Sequence, residues 1–161
     1  MPTIHPFLWF KTEAEEARDF YLSVFKTGRA LGSLRFPGEA SGSGKTVPVS
    51  TFDFELDGMR VTALNAGSHP PFNESFSFYV ETEDQAETDY YYSALTAGGG
   101  QEKPCGWLVD RFGVYWQVAP KILLQLTSDP DRAKADRAMQ AMYRMTRIVI
   151  ADLEAAYAGR A

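Results

Sequence analysis

Hydrophobic spacing along this chain changes character twice before residue 66, and then does so again in the same order. A compact apolar run, "PFLWF" (Pro6–Phe10), precedes Ala14, Ala17, Tyr21, Val24 and Phe25, which recur at helical spacing and make one apolar stripe. After Gly28 the pattern turns to strands, roughly Ala30–Phe36, Val47–Leu56 and Met59–Ala66. The last two are joined by Asp57-Gly58, a strong hairpin signal. The second pass opens on "SFYVE" (Ser77–Glu81) and continues through a helical pattern in which Ala86, Tyr90, Ala94 and Leu95 share a face. It ends in strands at Gln101–Cys105, Trp107–Asp110 and Val114–Ala119, with a turn at Arg111-Phe112-Gly113.

The two passes read as an internal repeat. Set over each other at an offset of seventy, "TEAEEARDFYLSVF" and "TEDQAETDYYYSAL" share Thr12/Thr82, Glu13/Glu83, Asp19/Asp89, Tyr21/Tyr91 and Ser23/Ser93. Gly28/Gly98 follows at the same offset. Thr12 with Glu15, and Thr82 with Gln85, have capping-box spacing. Gly28 and Gly98–Gly100 fall where a left-handed residue closes a helix. Each half therefore reads β-α-β-β-β. One helix covers one face of such a sheet, so the other face must meet a second sheet, and two halves, or four in a dimer, can curl around a cavity.

The expected class is α+β, with two duplicated βαβββ modules forming curved mixed sheets and a C-terminal helical extension. The modules span 1–66 and 74–120, the linker 67–73 and the extension 121–161, within one structural domain overall. The extension opens on a Ser/Asp cap and Pro130, then runs helical with Ala138, Met142 and Met145 on one face. Met139, Met142 and Met145 read as packing residues rather than a cofactor box.

Charge and composition narrow the function. The net charge is −5, and no block of Lys or Arg could grip a phosphate backbone, which argues against nucleic acid. Cys105 is the only cysteine, which excludes an internal disulfide and a thiolate zinc cluster and fits a reducing, cytoplasmic setting. The first residues have neither the basic region of a signal peptide nor the length of a membrane span. "GSGKT" (Gly42–Thr46) has the wrong upstream glycine spacing for a phosphate loop, and no helical pattern follows it.

The segments "PFLWF", "AEEARDFYLSVF", "FNESFSF", "CGWLVDRFGVYWQV" and the tail "DRAMQAMYRM…IADLEAAYAG" resemble the PhnB-like branch of the vicinal oxygen chelate superfamily. That superfamily includes glyoxalase I, extradiol dioxygenases and bleomycin-type resistance proteins, and the branch often carries the label 3-demethylubiquinone-9 3-methyltransferase-like. The resemblance implies a homodimer, with elements exchanged between protomers. A methyltransferase of the Rossmann type needs a Gly-x-Gly turn opening a helix, which this sequence lacks. Both predicted helices begin with acidic segments that would repel an anionic ligand.

The resemblance also implies where a metal would sit. A His early in the first strand and a carboxylate on the last strand, beyond an Asp-x-x-Gly turn, would hold a divalent ion. Here His5 lies near the first position and Gln117, which carries no charge, at the second. The repeat partner of His5 is Ser75, and Thr62, Leu64 and Asn65 offer no anion. His69 falls in the linker beside two prolines. The expectation is no catalytic metal and no cofactor, with a metal enzyme using His5 and Gln117 as the alternative and methyl transfer as a further one. Candidate pocket residues for a small aromatic or amphipathic molecule are Trp9, Tyr79, Trp107, Tyr115, Trp116 and Gln117. Strand alternation puts Tyr115 and Gln117 on one face and Trp116 on the other. Asp110 and Arg111 read either as an acid/base or anion-binding pair or as turn residues. Cys105, beside Lys103, reads as a nucleophile or a structural thiol, and no assigned histidine could serve as its base.

Overall fold

The structure is a computed structural model that describes residues 2–36 and 48–160. The "GSGKT" segment lies outside the described residues. The chain forms two compact units, Met1–Pro71 and Phe72–Ala161. In the first, β1 (Phe7–Phe10), α1 (Ala14–Val24), β2 (Arg29–Phe36), β3 (Val49–Leu56) and β4 (Met59–Asn65) build one sheet of order β1-β4-β3-β2. Only β1 and β4 run parallel. In the second, β5 (Phe78–Thr82), α2 (Gln85–Thr96), β6 (Gln101–Glu102), β7 (Trp107–Val109) and β8 (Tyr115–Pro120) repeat that plan as β5-β8-β7-β6, with β5 parallel to β8. The repeat read at an offset of seventy is thus a repeat of topology, and the fold is the expected α+β pair of βαβββ modules.

In the first unit the predicted stripe packs as expected. Ala14, Ala17, Tyr21, Val24 and Phe25 are all buried, along with Leu8 and Phe10 of β1 and Phe52, Phe54 and Leu56 of β3. Tyr21 meets Phe54 at 6.1 Å between ring centroids. Each large side chain removed from water this way contributes roughly 1.5–3 kcal/mol. The Asp57-Gly58 turn takes φ of 46° and 79°, both left-handed as a two-residue hairpin of the primed type requires.

Several local expectations are corrected. The helices are not closed by capping boxes at Thr12 and Thr82. Glu13 and Asp84 hold the N-cap positions, and Asp84 accepts a hydrogen bond from the Glu87 amide. The Ala14 amide is instead met by Asn65 Oδ1 at the end of β4, 2.8 Å away. On α2 the buried residues are Thr88, Tyr92 and Leu95, while Ala86 and Tyr90 are exposed. The Thr88 hydroxyl donates to the Asp84 carbonyl at 2.8 Å and accepts from Thr82 at 2.6 Å, which lets a polar residue face the sheet. Gly98 is left-handed at φ 75°, but Gly28 is not; it is needed because a Cβ there would lie 2.8 Å from Leu22 and 2.9 Å from the Phe25 carbonyl. The strand expected over Gln101–Cys105 stops at Glu102, and Pro104–Gly106 forms a single 3₁₀ turn.

The extension comprises α3 (Lys121–Thr127), α4 (Arg132–Met142) and α5 (Ile150–Tyr157). Ala119, Leu123, Ala141, Ile148, Leu153 and Ala156 make its core, and Met142 and Met145 pack against it as expected. Gln85 at the start of α2 clamps the segment before α5, donating to the Ile148 carbonyl at 3.0 Å and accepting from the Ile150 amide at 2.7 Å. The Cys105 and Gly106 amides donate to the Met145 and Thr146 carbonyls. Gln85→Ala should therefore lower stability in urea by about 1–3 kcal/mol and speed amide exchange across residues 145–157. Exchange that rises uniformly through the second unit would contradict this role.

Candidate functional site

In each sheet one face is covered by the helix, and the other carries Trp9 in the first unit and Tyr79, Trp107, Tyr115 and Gln117 in the second, whereas the candidate Trp116 falls on the covered face. Register sets the second unit's open face. Gln117 on β8 lies between Tyr79 on β5 and Trp107 on β7, and Tyr115 is one step along the same face. Gln117 Nε2 donates to Ser77 Oγ at 2.9 Å, so the amide finds a neighbour on its own face. Its amide oxygen takes no hydrogen bond from the described residues. Tyr79 is 53% exposed, and Trp107 and Tyr115 are half-buried. Burial, reinforced by the Glu81 carboxylate, pushes the Tyr79 phenol above its ordinary pKa.

Trp107 and Tyr115 line an open cleft of about 260 Å³ with Glu74, Lys103 and Pro104. The strand behind that cleft is braced from α2. The Tyr92 hydroxyl reaches the Trp107 carbonyl at 3.2 Å and the Lys103 carbonyl at 3.4 Å. Its pKa is pushed up to about 12, by burial first and the Glu102 carboxylate second, so it stays a donor under ordinary conditions.

Trp116 lies on the other face, 1% exposed, stacked near Phe78 at 4.7 Å between centroids. Its indole N–H donates to Asp110 Oδ2 at 2.8 Å. Asp110 Oδ1 accepts from the Phe112 and Val114 amides at 2.8 and 3.0 Å. The buried Asp110 carboxylate therefore ties the β7–β8 turn to the core. Arg111 is exposed, with its guanidinium 4.9 Å from the Phe112 ring centroid. Cys105 is left-handed at φ 62° in the turn after Lys103.

The first unit's open face carries Phe7 and Trp9, 57% and 40% exposed. Beside them runs a polar chain not anticipated from the residues. His5 Nε2 lies 3.1 Å from Thr62 Oγ1, which donates to Asp53 Oδ1 at 2.5 Å, and Arg60 donates to Asp53 Oδ2 at 2.6 Å. Burial raises the Asp53 pKa, but hydrogen bonds from Thr62 and Arg60, then the Arg60 and His5 charges, outweigh it and hold it below the ordinary carboxylate range. Asp53 and Thr62 are direct cross-strand partners, as are Phe7 and Thr62. The contact joins residues 57 positions apart at His5 and Thr62, so only knowledge of register could have found it.

Among the described residues the donor set does not make a three-ligand metal site: no group of three His, Cys, Asp or Glu could hold an ion. His5 Nε2 is engaged with Thr62, Gln117 offers only a neutral amide oxygen, and His69 Nδ1 lies 2.7 Å from the Pro70 carbonyl. The residues do not fit S-adenosylmethionine in a Rossmann-type site either. Each sheet has one parallel pair rather than a doubly wound parallel core, and the first turns of α1 and α2 carry Glu15, Glu16 and Glu87. No described helix is long and apolar enough to cross a membrane.

Comparison with known proteins agrees with this architecture. The family model described as 3-demethylubiquinone-9 3-methyltransferase matches residues 2–119. A PhnB protein from Bacillus cereus superposes with a TM-score of 0.59 at 26% identity, covering 73% of this chain and 99% of its own. Protein PA1353 from Pseudomonas aeruginosa gives 0.59 at 20% identity, covering 74% and 98%. The fosfomycin resistance protein FosX from Listeria monocytogenes gives 0.55 at 16%, covering 78% and 96%. No curated protein matches by sequence.

Two measurements follow from this geometry. Asp110→Ala strands a buried indole N–H and two turn amides, so urea unfolding should register a loss of about 2–4 kcal/mol; a loss under about 1 kcal/mol would remove Asp110 from that role. Asp53 has a depressed pKa in the fold, so it adds stability above its unfolded pKa of about 3.9 and loses it as pH falls through the folded value. The stability gap between wild type and Asp53→Asn should shrink with acidification below about pH 4, and a constant gap would contradict the pairing.

Proposed function

The chain belongs to the 3-demethylubiquinone-9 3-methyltransferase-like (PhnB) family of the vicinal oxygen chelate superfamily, and we propose that it binds a small aromatic or amphipathic molecule without a catalytic metal. The row Tyr79–Gln117–Trp107 beside the Trp107–Tyr115 cleft carries this reading. Two aromatic rings offer apolar contact, and the Gln117 amide oxygen offers one polar anchor held in place through Ser77. Glu74 and Lys103 at the cleft give opposite charges for the polar end of an amphipathic ligand. Methyl transfer stays a family name without a matching site in these residues. The reading includes a homodimer.

The test is elemental analysis of the purified chain, prepared without chelator or metal-affinity steps, alongside a fluorescence titration with 1-naphthol. The expected result is no stoichiometric ion, no thermal stabilisation by Ni²⁺, Zn²⁺, Mn²⁺ or Fe²⁺, and saturable binding weakened about tenfold or more by Trp107→Ala or Tyr115→Ala. About one bound ion per chain, with a stabilisation lost in His5→Ala, would overturn the metal-free reading. Light scattering should return twice the chain mass.

A further inference from the structure

We infer that the C-terminal extension carries a separate anion site, a cleft between α4 and α5 in which Arg137 and Arg144 take the two ends of an aliphatic dicarboxylate. The cleft has a volume of about 320 Å³ and is lined by Asp136, Arg137, Gln140, Arg144, Ala156 and Gly159. That size suits a small molecule rather than a lone ion. Every lining residue lies beyond the 2–119 match to the family model, so the cleft belongs to this chain's extension and not to the paired modules.

Helical spacing puts the two arginines on one side of α4. They are seven residues apart, about two turns, with Gln140 between them. The helix ends at Met142, but the Tyr143 and Arg144 amides still donate to the Met139 and Ala141 carbonyls, so the helical path reaches Arg144. At 1.5 Å of rise per residue the two Cα atoms stand roughly 10 Å apart. Each guanidinium is also pinned. Arg137 donates from Nε to the Ala156 carbonyl at 3.0 Å and from Nη2 to the Tyr157 carbonyl at 2.7 Å, at the end of α5. Arg144 donates from Nε to the Gln140 carbonyl at 3.2 Å, in the last turn of α4. Cations suit these places because a helix C-terminus carries partial negative charge. A guanidinium has five N–H donors, so both keep free ones, including the pair on Nη1.

Charge then selects the ligand. Arg18, Arg29, Arg60, Arg132 and Arg147 are all ion-paired, whereas among the described residues Arg137 and Arg144 meet only carbonyls. In a chain of net charge −5 that leaves two unmatched cations in one cleft. Asp136 borders them, but its charge is answered by Arg132 at 3.2 Å. A guanidinium fork matches a planar carboxylate, and two forks two turns apart match two carboxylates on a short chain better than one compact tetrahedral anion.

The experiment is calorimetry on the full chain with ¹H–¹⁵N NMR of its arginine Nε–H groups, titrating succinate, glutarate, adipate, butyrate and inorganic phosphate at constant ionic strength. The expected result is that at least one diacid saturates the protein about tenfold or more tighter than butyrate or phosphate and moves the Arg137 and Arg144 signals together. Arg137 also caps α5, so Arg144 carries the mutational test. Arg144→Gln should weaken diacid binding about tenfold, Arg144→Lys should not restore it because the fork is lost, and Trp107→Ala should leave it unchanged. That last variant separates this site from the cleft beside Trp107. The inference is overturned by a diacid that binds no tighter than butyrate, by phosphate binding as tightly, by shifts spread over all the arginines, or by affinity that survives Arg144→Gln.

Discussion

One helix can cover only one face of a four-stranded sheet, and this constraint organises both halves of the molecule. In the first unit α1 buries Tyr21 and Val24 against the β3 side chains Phe52 and Phe54, leaving Phe7, Trp9, Thr62 and Asp53 on the far face. In the second unit α2 buries Tyr92 and Leu95 and leaves Tyr79, Trp107, Tyr115 and Gln117. The extension covers part of what remains. Ala119, two residues beyond Gln117 on the same face, is 4% exposed and packs with Leu123, Ile148 and Leu153. The aromatic row is the portion of that face left open within the unit.

Rigidity behind the open face comes from polar groups placed in the core. Asp110 gathers two turn amides and the Trp116 indole, and Tyr92 braces the carbonyls of Lys103 and Trp107. Such groups are stabilising only when every buried donor and acceptor is met, and among the described residues no buried side-chain nitrogen or oxygen is left without a partner. The same economy explains the polar residues on the helix-facing side: Thr82 donates to Thr88, and Thr88 donates to the Asp84 carbonyl. The cleft thus sits on strands whose positions are fixed from the other side.

The architecture was legible in the sequence where local patterns carry the information. The stripe from Ala14 to Phe25, the Asp57-Gly58 hairpin and the offset of seventy each depend on residues near one another or on a repeated order. Helix starts were less legible, because Asn65, arriving from β4, meets the Ala14 amide that a local capping box would have served. The Ala86–Tyr90 stripe failed because two hydroxyls, on Thr82 and Thr88, could be buried together at no net polar cost. Gln117 stood out as a polar residue in an aromatic strand, but its partner Ser77 lies 40 positions away. The His5–Thr62–Asp53 chain crosses three segments, and nothing in the separate stretches marks it. Family membership adds a name that speaks of methyl transfer, whereas the residues themselves speak of aromatic surface and a neutral amide.

We propose that the open face around Trp107, Tyr115 and Gln117 takes an aromatic ligand with no metal between them. The most direct measurement is a map of backbone and side-chain amide shifts as 1-naphthol is added in the presence of a strong chelator. The account predicts saturable changes concentrated at residues 77–79, 103–107 and 115–117, including the Gln117 side-chain amide. Changes that are absent, fail to saturate, or emerge only when chelator is replaced by a divalent ion would contradict it.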